Sequence, residues 1–433
     1  MFLSIKNLGK IETADIEIDA ITVIAGENNS GKSTIGKALF CIFNSFYAVD
    51  KNIMAERESA ISRVIEYAYH NATDRLTRRF DFDELAEAIA SNINAYENNS
   101  SLLQEEIKNY ILENDPHFEA YINKIKLEDI AKDIIGRATI SDEEMLLTIM
   151  RKNMQAVFNM EINNVYRPGE ATEMKLKIKD VSVDVRVRNN INIELLNKLT
   201  LNTEAIYLDD PYAMDNYRYM PHRAVRHLSL RELRAGRYMS HREHLRMWLS
   251  KQSSSTAIDE IITTRKLNKA FEKLDVVCPG KMVLKNRRSF VYVEGDSEAV
   301  SIDIANVSTG LKAFAIIKTL LLNGALEDNG TIILDEPEIH LHPEWQLLFA
   351  ELIVLIQKEF NMHILLNTHS PYFLNAIEVY THKHGISSKC RYYLAENTGA
   401  TSIIKDVSDN IEEIYQKLAR PLQVLENERY AND

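Results

Sequence analysis

A chain of 433 residues, 45% hydrophobic and 26% charged, can bury a sizeable core and is long enough for two or three domains. Its formal net charge of −12 excludes a molecule that coats nucleic acid through overall basicity, so any such contact has to come from a local patch. The three cysteines, Cys41, Cys278 and Cys390, are far apart and form no CxxC pair, which argues against a disulfide framework or zinc knuckle and fits a reducing cytoplasm.

Taken in chain order, "FLSIKNL" and "ADIEIDAITVIAG" have period two or are densely β-branched and predict strands, after which "GKSTIGKALFCIFNSFY" switches to helical spacing. The N-terminus carries acids where a signal peptide has a basic head. The longest apolar runs, such as "LLFAELIVLI", are short and contain Glu351, so no targeting or membrane-spanning segment is expected. From about 50 to 160 apolar residues recur every three or four positions, as in Ile61, Val64, Ile65 and Ala68, which predicts a helical insertion broken at "DPHF". Period two returns from Val165 to about Asn197 and predicts a small sheet. Residues 217–251 then hold eight arginines and one lysine against Glu232 and Glu243. A joint at "SSST", a helix over roughly 256–275 and three short strands follow. The remainder alternates buried strand with helix, from "TIILDEP" through "HILLNTHS" to "RYYLAE", which implies an α/β fold with a mainly parallel sheet.

The strongest local signal is "GENNSGKST", Gly26 to Thr34, which fits GxxxxGK[ST] between a strand and a helix. Gly26 and Gly31 permit a backbone in which the amides around Asn28, Asn29 and Ser30 close on an oxyanion, and the helix N-terminus adds a favourable dipole. Lys32 is then expected to reach the β and γ phosphates of ATP, with Ser33 offering its hydroxyl to Mg²⁺ and Thr34 completing the loop. Such a loop needs a carboxylate on an adjacent buried strand for the magnesium and a neighbouring base for the attacking water. Two stretches qualify: "AIYLDDP" with Asp209 and Asp210, and "TIILDEP" with Asp335 and Glu336.

Context favours the second. The succession "GENNSGKST", "VSTGLK", "LDEPEIHLHP" and "NTHSP" resembles the ABC-type ATPase head of the RecF and SMC proteins, and most of all the OLD-like ATPases of bacterial defence. The resemblance implies an ATPase head formed by 1–50 and 281–433, split by an insertion over 50–280. It implies Asp335 as the magnesium carboxylate, Glu336 as the general base and His369 as the sensor of the γ-phosphate. Ser308 and Gly310 would meet the γ-phosphate of a nucleotide held by a second protomer. The signature departs from LSGGQ, and no glutamine loop is placed. "LDDP" is then expected to be structural, its carboxylates capping or pairing with arginines, and the HxH pair His340 and His342 to belong to the family pattern rather than to zinc.

The Arg-rich stretch has two readings. With Tyr217, Tyr219, Tyr238 and Trp248 interleaved it could hold a nucleic-acid backbone, or it could pair with the protein's own carboxylates or an acidic partner, the slightly favoured reading. The function implied is a cytoplasmic ATPase working as a head-to-head homodimer around two ATP molecules. As in the anti-phage systems Septu, PARIS and the retron-associated ATPases, its nucleotide state would control a separate effector, a nuclease or toxin. From the short stretch after His369, no TOPRIM nuclease like those fused in OLD proteins is expected here, and effector chemistry is expected in another polypeptide. The rivals are a RecF-like repair ATPase and, less favoured, the nucleotide-binding subunit of a transporter.

Overall fold

A computed structural model describes residues 1–73, 81–215, 239–251, 268–285, 289–294 and 301–430. The elements run in the order β1 (Phe2–Leu8), β2 (Ile11–Glu17), β3 (Ile21–Gly26), α1 (Lys32–Phe46), α2 (Val49–Thr73), α3 (Asp83–Ser91), α4 (Ile93–Glu97), α5 (Ser100–Asn114), α6 (Leu127–Ala138), α7 (Asp142–Phe158), β4 (Thr172–Ile178), β5 (Val181–Arg188), β6 (Asn192–Leu196) and β7 (Ala205–Leu208). There follow α8 (His241–Ser250), α9 (Asn268–Val277), β8 (Lys281–Lys285), β9 (Ser289–Val293), β10 (Ser301–Asp303), α10 (Thr309–Leu322), β11 (Thr331–Asp335), α11 (Pro343–Phe360), β12 (His363–Thr368), α12 (Pro371–His384), β13 (Cys390–Thr398), β14 (Thr401–Asp406) and α13 (Glu412–Tyr430). No helix among the described residues is long and apolar enough to cross a membrane.

The chain divides into two compact units. The larger comprises 1–47, 150–215 and the described residues from 239 onward, and is built on an 11-stranded sheet of order β6-β5-β4-β1-β2-β14-β13-β3-β12-β11-β7. Strands β13, β3, β12, β11 and β7 run parallel to one another. β3, β7 and β11 are buried along their whole length, because both faces of a parallel sheet are covered and such strands read as continuous apolar runs. The other half is largely antiparallel. β4 pairs with β1, from Phe2↔Lys177 to Lys6↔Glu173, so the small sheet expected over 165–197 continues the main sheet instead of standing apart from it. Alternation alone carries no record of which distant strand is the partner.

α1 lies against β7, β11 and β12. It comes close because Gly36 has no side chain: a Cβ there would lie 2.8 Å from the Tyr207 ring and 2.9 Å from Ile333. α10, α11 and α12 contribute to the main apolar core through residues such as Phe314, Phe349 and Phe373. Glu351, the charge inside "LLFAELIVLI", is buried in α11 and paired with Lys273 and Lys383, so the run tolerates it.

The second unit covers 48–149 and is helical, as the period of its apolar residues predicts. Its core gathers Ile61, Ile65, Phe82, Ile89, Ile107 and Ile134. At the "DPHF" break, Asp115 caps a short 3-10 turn, Pro116–Ala120, and accepts a bond from the Tyr69 hydroxyl at 2.8 Å. Tyr69 in turn stacks on Phe118 at 4.6 Å.

Candidate active site

Parallel strands bring their carboxyl ends to one edge, where ligands of such sheets bind. Here that edge gathers the loop after β3, His369 after β12, Asp335 and Glu336 at the end of β11, and Asp209 after β7. The registers Thr368↔Ala25, Asp335↔Asn367 and Leu334↔Leu208 set them side by side.

The loop Gly26–Thr34 has the strand-turn-helix setting that its pattern requires. Gly31 sits at φ 86°, where a Cβ would also lie 2.3 Å from Ile11 Cδ1, so only glycine fits. Glu27, Asn28 and Asn29 are exposed; the Ser30 hydroxyl donates to the Glu27 carbonyl at 2.7 Å and Lys10 donates to that of Asn29 at 2.7 Å, which holds the loop from both sides. The first turn of α1 carries no acid, leaving its positive end free for an anion. Lys32 is only 4% exposed and donates to the carbonyls of Gly26 at 3.0 Å and Glu27 at 2.9 Å. Its ammonium also lies 3.5 Å from Glu336 Oε1.

Asp335 is buried, and each of its oxygens accepts a hydrogen bond: Oδ2 from the Tyr207 hydroxyl at 2.8 Å, Oδ1 from the Asn367 amide at 2.9 Å. Glu336 adopts φ 51° and donates its N–H to the Asn367 carbonyl at 2.9 Å. Its Oε1 lies 3.3 Å from His369 Nδ1, a charge contact in which His369 first and Lys32 second hold the carboxyl below its ordinary range. The same approach of Glu336 raises His369 above the usual imidazole value. Beneath them Glu338, 2% exposed, accepts bonds from the Thr368 hydroxyl and, at 3.3 Å, the His369 amide. Burial raises its pKa, and its Oε2 has no partner among the described residues.

Ser308 is exposed as the N-cap of α10 and makes no capping bond with its side chain. Gly310 is buried, and a Cβ there would lie 3.1 Å from the His340 carbonyl and 3.3 Å from the Trp345 ring, so any side chain would press that segment back. Among the described residues no hydrogen bond or ion pair joins Ser308 or Gly310 to the loop Gly26–Thr34. His340 meets the Tyr212 ring edge-on at 5.3 Å, and no cluster of metal-binding side chains is found among the described residues.

Each "LDDP" carboxylate has partners, although the buried Oδ1 of Asp209 has none among the described residues. Asp209 accepts from Arg242 at 2.8 Å and contacts His241 at 3.0 Å; Asp210 caps the following turn through Tyr212 N–H at 2.8 Å. These are the capping and arginine pairing expected of a strand end, although β7 turns out to be the immediate neighbour of β11. Of the Arg-rich stretch, 216–238 lie outside the described residues. Arg242 is exposed and pairs with Asp209, and Arg246 is half-buried and donates to the Ala213 carbonyl at 2.8 Å.

Sequence reasoning passed over Tyr207, Asn367 and Glu338. Only the last carries a signal, a second acid two residues after Glu336 in "DEPE"; Tyr207 and Asn367 sit in apolar strands whose pairing the sequence does not display. Hard oxygen donors at Ser33 and Asp335, with Lys32 and an acid-free helix start beside them, fit a divalent cation carried by a polyphosphate.

Residues 1–374 match the family described as AAA ATPase domain. A probable ATPase of retron Ec83 from Escherichia coli is 30% identical over 111 residues, which is 23% of this chain and 20% of that protein, so the match spans about a fifth of the relative's length. Among solved structures, an SMC head bound to the C-winged helix domain of ScpA is 11% identical, with 95% of this chain and 98% of that one covered at a TM-score of 0.42. The SMC head domain from Thermotoga maritima is 10% identical, with 94% and 98% covered at 0.36.

Proposed function

Because the chain belongs to the AAA ATPase domain family, we propose that it binds ATP with Mg²⁺ at the edge described above and hydrolyses it to control a separate effector protein. The observation that carries this reading is the meeting of Lys32 and His369 on one carboxylate, Glu336, next to a buried Asp335.

The loop amides and the start of α1 bind the phosphates, and Lys32 moves from its own carbonyls to the β and γ oxygens. Ser33 and Asp335 hold the magnesium, which when bound neutralises charge on the transferring phosphoryl group. Glu336, kept ionised by its cationic neighbours, accepts the proton of the attacking water, and His369 stands beside it to meet the γ-phosphate. Ser308, exposed at the start of α10, faces the nucleotide of a second protomer in a head-to-head homodimer, with Gly310 letting that helix approach. An effector that is a nuclease or toxin, and a setting in cytoplasmic anti-phage defence, are the finer part of the proposal; the partial likeness to a retron ATPase supports them.

Lys32→Ala tests the assignment of the loop. Removing the ammonium is expected to weaken ATP binding at least tenfold, an order-of-magnitude figure for a charge-assisted contact. Equal affinity in variant and parent, measured by calorimetric titration, would sink it.

A further inference from the structure

Groups that bind no metal themselves often fix the orientation of those that do, and their loss weakens the metal about 10–100-fold. Tyr207 stands in that relation to Asp335. Its ring is fully buried, and its hydroxyl lies 2.8 Å from Asp335 Oδ2 and 3.4 Å from the Ser33 carbonyl oxygen. One hydroxyl thus touches both residues that the proposed function gives to the magnesium. A buried tyrosine needs only some acceptor, and a backbone carbonyl would serve; this one lies nearer the Asp335 carboxylate than the Ser33 carbonyl, at 2.8 against 3.4 Å.

The strand beneath the ring is held at several points. β7 pairs with β11 up to Leu208↔Leu334, Asp209 is gripped by His241 and Arg242, and Asp210 caps the next turn. Asp215, at the end of that turn, is bonded at 2.5 Å by Lys312, a 1% exposed side chain of α10. The ring itself is packed edge-on to Phe40 at 6.2 Å and closes on Gly36. A hydroxyl on so constrained a base can dictate which way a carboxylate points.

We propose that Tyr207 is a positioning residue that orients Asp335, and the start of α1 with it, to receive the magnesium of the bound nucleotide. This rests on Asp335 being the magnesium carboxylate. Tyr207→Phe keeps the ring's volume and removes only the hydroxyl, so the protein is expected to fold and to melt near the parent temperature.

Binding of a fluorescent ATP analogue is followed across a Mg²⁺ titration and again in EDTA. The expected result is a Mg²⁺ midpoint raised about tenfold, with unchanged affinity in EDTA. Asp335→Asn is expected to raise the midpoint further, and Tyr207→Phe added to it to have no additional effect, since the hydroxyl acts through that carboxylate. An unmoved midpoint in Tyr207→Phe while Asp335→Asn moves it would overturn the role of Tyr207 alone. An equal loss of affinity in EDTA would also overturn it, by showing support of the whole loop. If Asp335→Asn left the midpoint at the parent value, the magnesium assignment itself would fall, and this inference with it.

Discussion

Glu336 holds a left-handed backbone, φ 51°, which costs a non-glycine residue of order 1–3 kcal/mol, and its N–H is fixed by the Asn367 carbonyl. That geometry aims its carboxylate at His369 and Lys32. The sign of the resulting pH dependence follows. His369 holds Glu336 below the ordinary carboxylate range, so the base is ionised and competent above that lowered value and fails as the pH falls through it. Glu336 raises His369, so the imidazolium persists above its usual range and is lost as the pH rises through the raised value. His369→Gln removes the larger of the two influences on Glu336. The acid limb of kcat/KM for ATP hydrolysis is therefore expected to move to higher pH and the alkaline limb to flatten, in pH-rate profiles of the two proteins. An acid limb that does not move would remove Glu336 as the titrating base.

At the scale of elements, β7 and β11 offer the sharper contrast, because two similar strand ends lie side by side with different partners. Burial alone would raise the pKa of Asp209, but His241 and Arg242 outweigh it and hold it low. A lowered carboxylate contributes stability that is present above its unfolded value and lost as the pH falls through its folded one. Asp209→Asn with Asp210→Asn is accordingly expected to cost about 1–3 kcal/mol at neutral pH and less in acid, while leaving hydrolysis within about tenfold of the parent. Asp335→Asn should remove most hydrolysis. Melting curves at two pH values and steady-state rates separate the cases; equal loss of rate from both would place "LDDP" in the catalytic machinery.

The same pair shows what was legible in the sequence. The loop after β3 and the end of β11 could be read because the chemistry they carry lies within a few consecutive residues, flanked by unbroken apolar runs. The contact of Tyr207 with Asp335 joins residues 128 apart, and β1 with β4 pairs Phe2 with Lys177. Periodicity reports whether a face is buried but not what buries it, so the shared sheet and the hydroxyl on Asp335 emerged only from the fold.

For the molecule as a whole, the proposed function makes association the readout. Glu336→Gln keeps the side chain's shape but cannot take the water's proton, so ATP is expected to bind and persist. Two heads bridged by that ATP should accumulate as a dimer or larger assembly, to the extent that ATP prefers the closed state. Adding Ser308→Arg puts a bulky cation at the exposed start of α10 and should abolish the association. Light scattering on a sizing column, with and without ATP, decides it: an unchanged mass in both conditions means that nucleotide does not govern how heads meet.

The position of Lys32 has a consequence for the order of events. Its ammonium rests on two loop carbonyls and lies 3.5 Å from Glu336, so the carboxylate shares the cation that the proposed function gives to phosphate. Under the proposed function, a polyphosphate taken up by Lys32 competes with Glu336 for that ammonium. On that reading one cation would be shared between base and substrate, and the freedom of Glu336 would depend on whether phosphate has taken up Lys32.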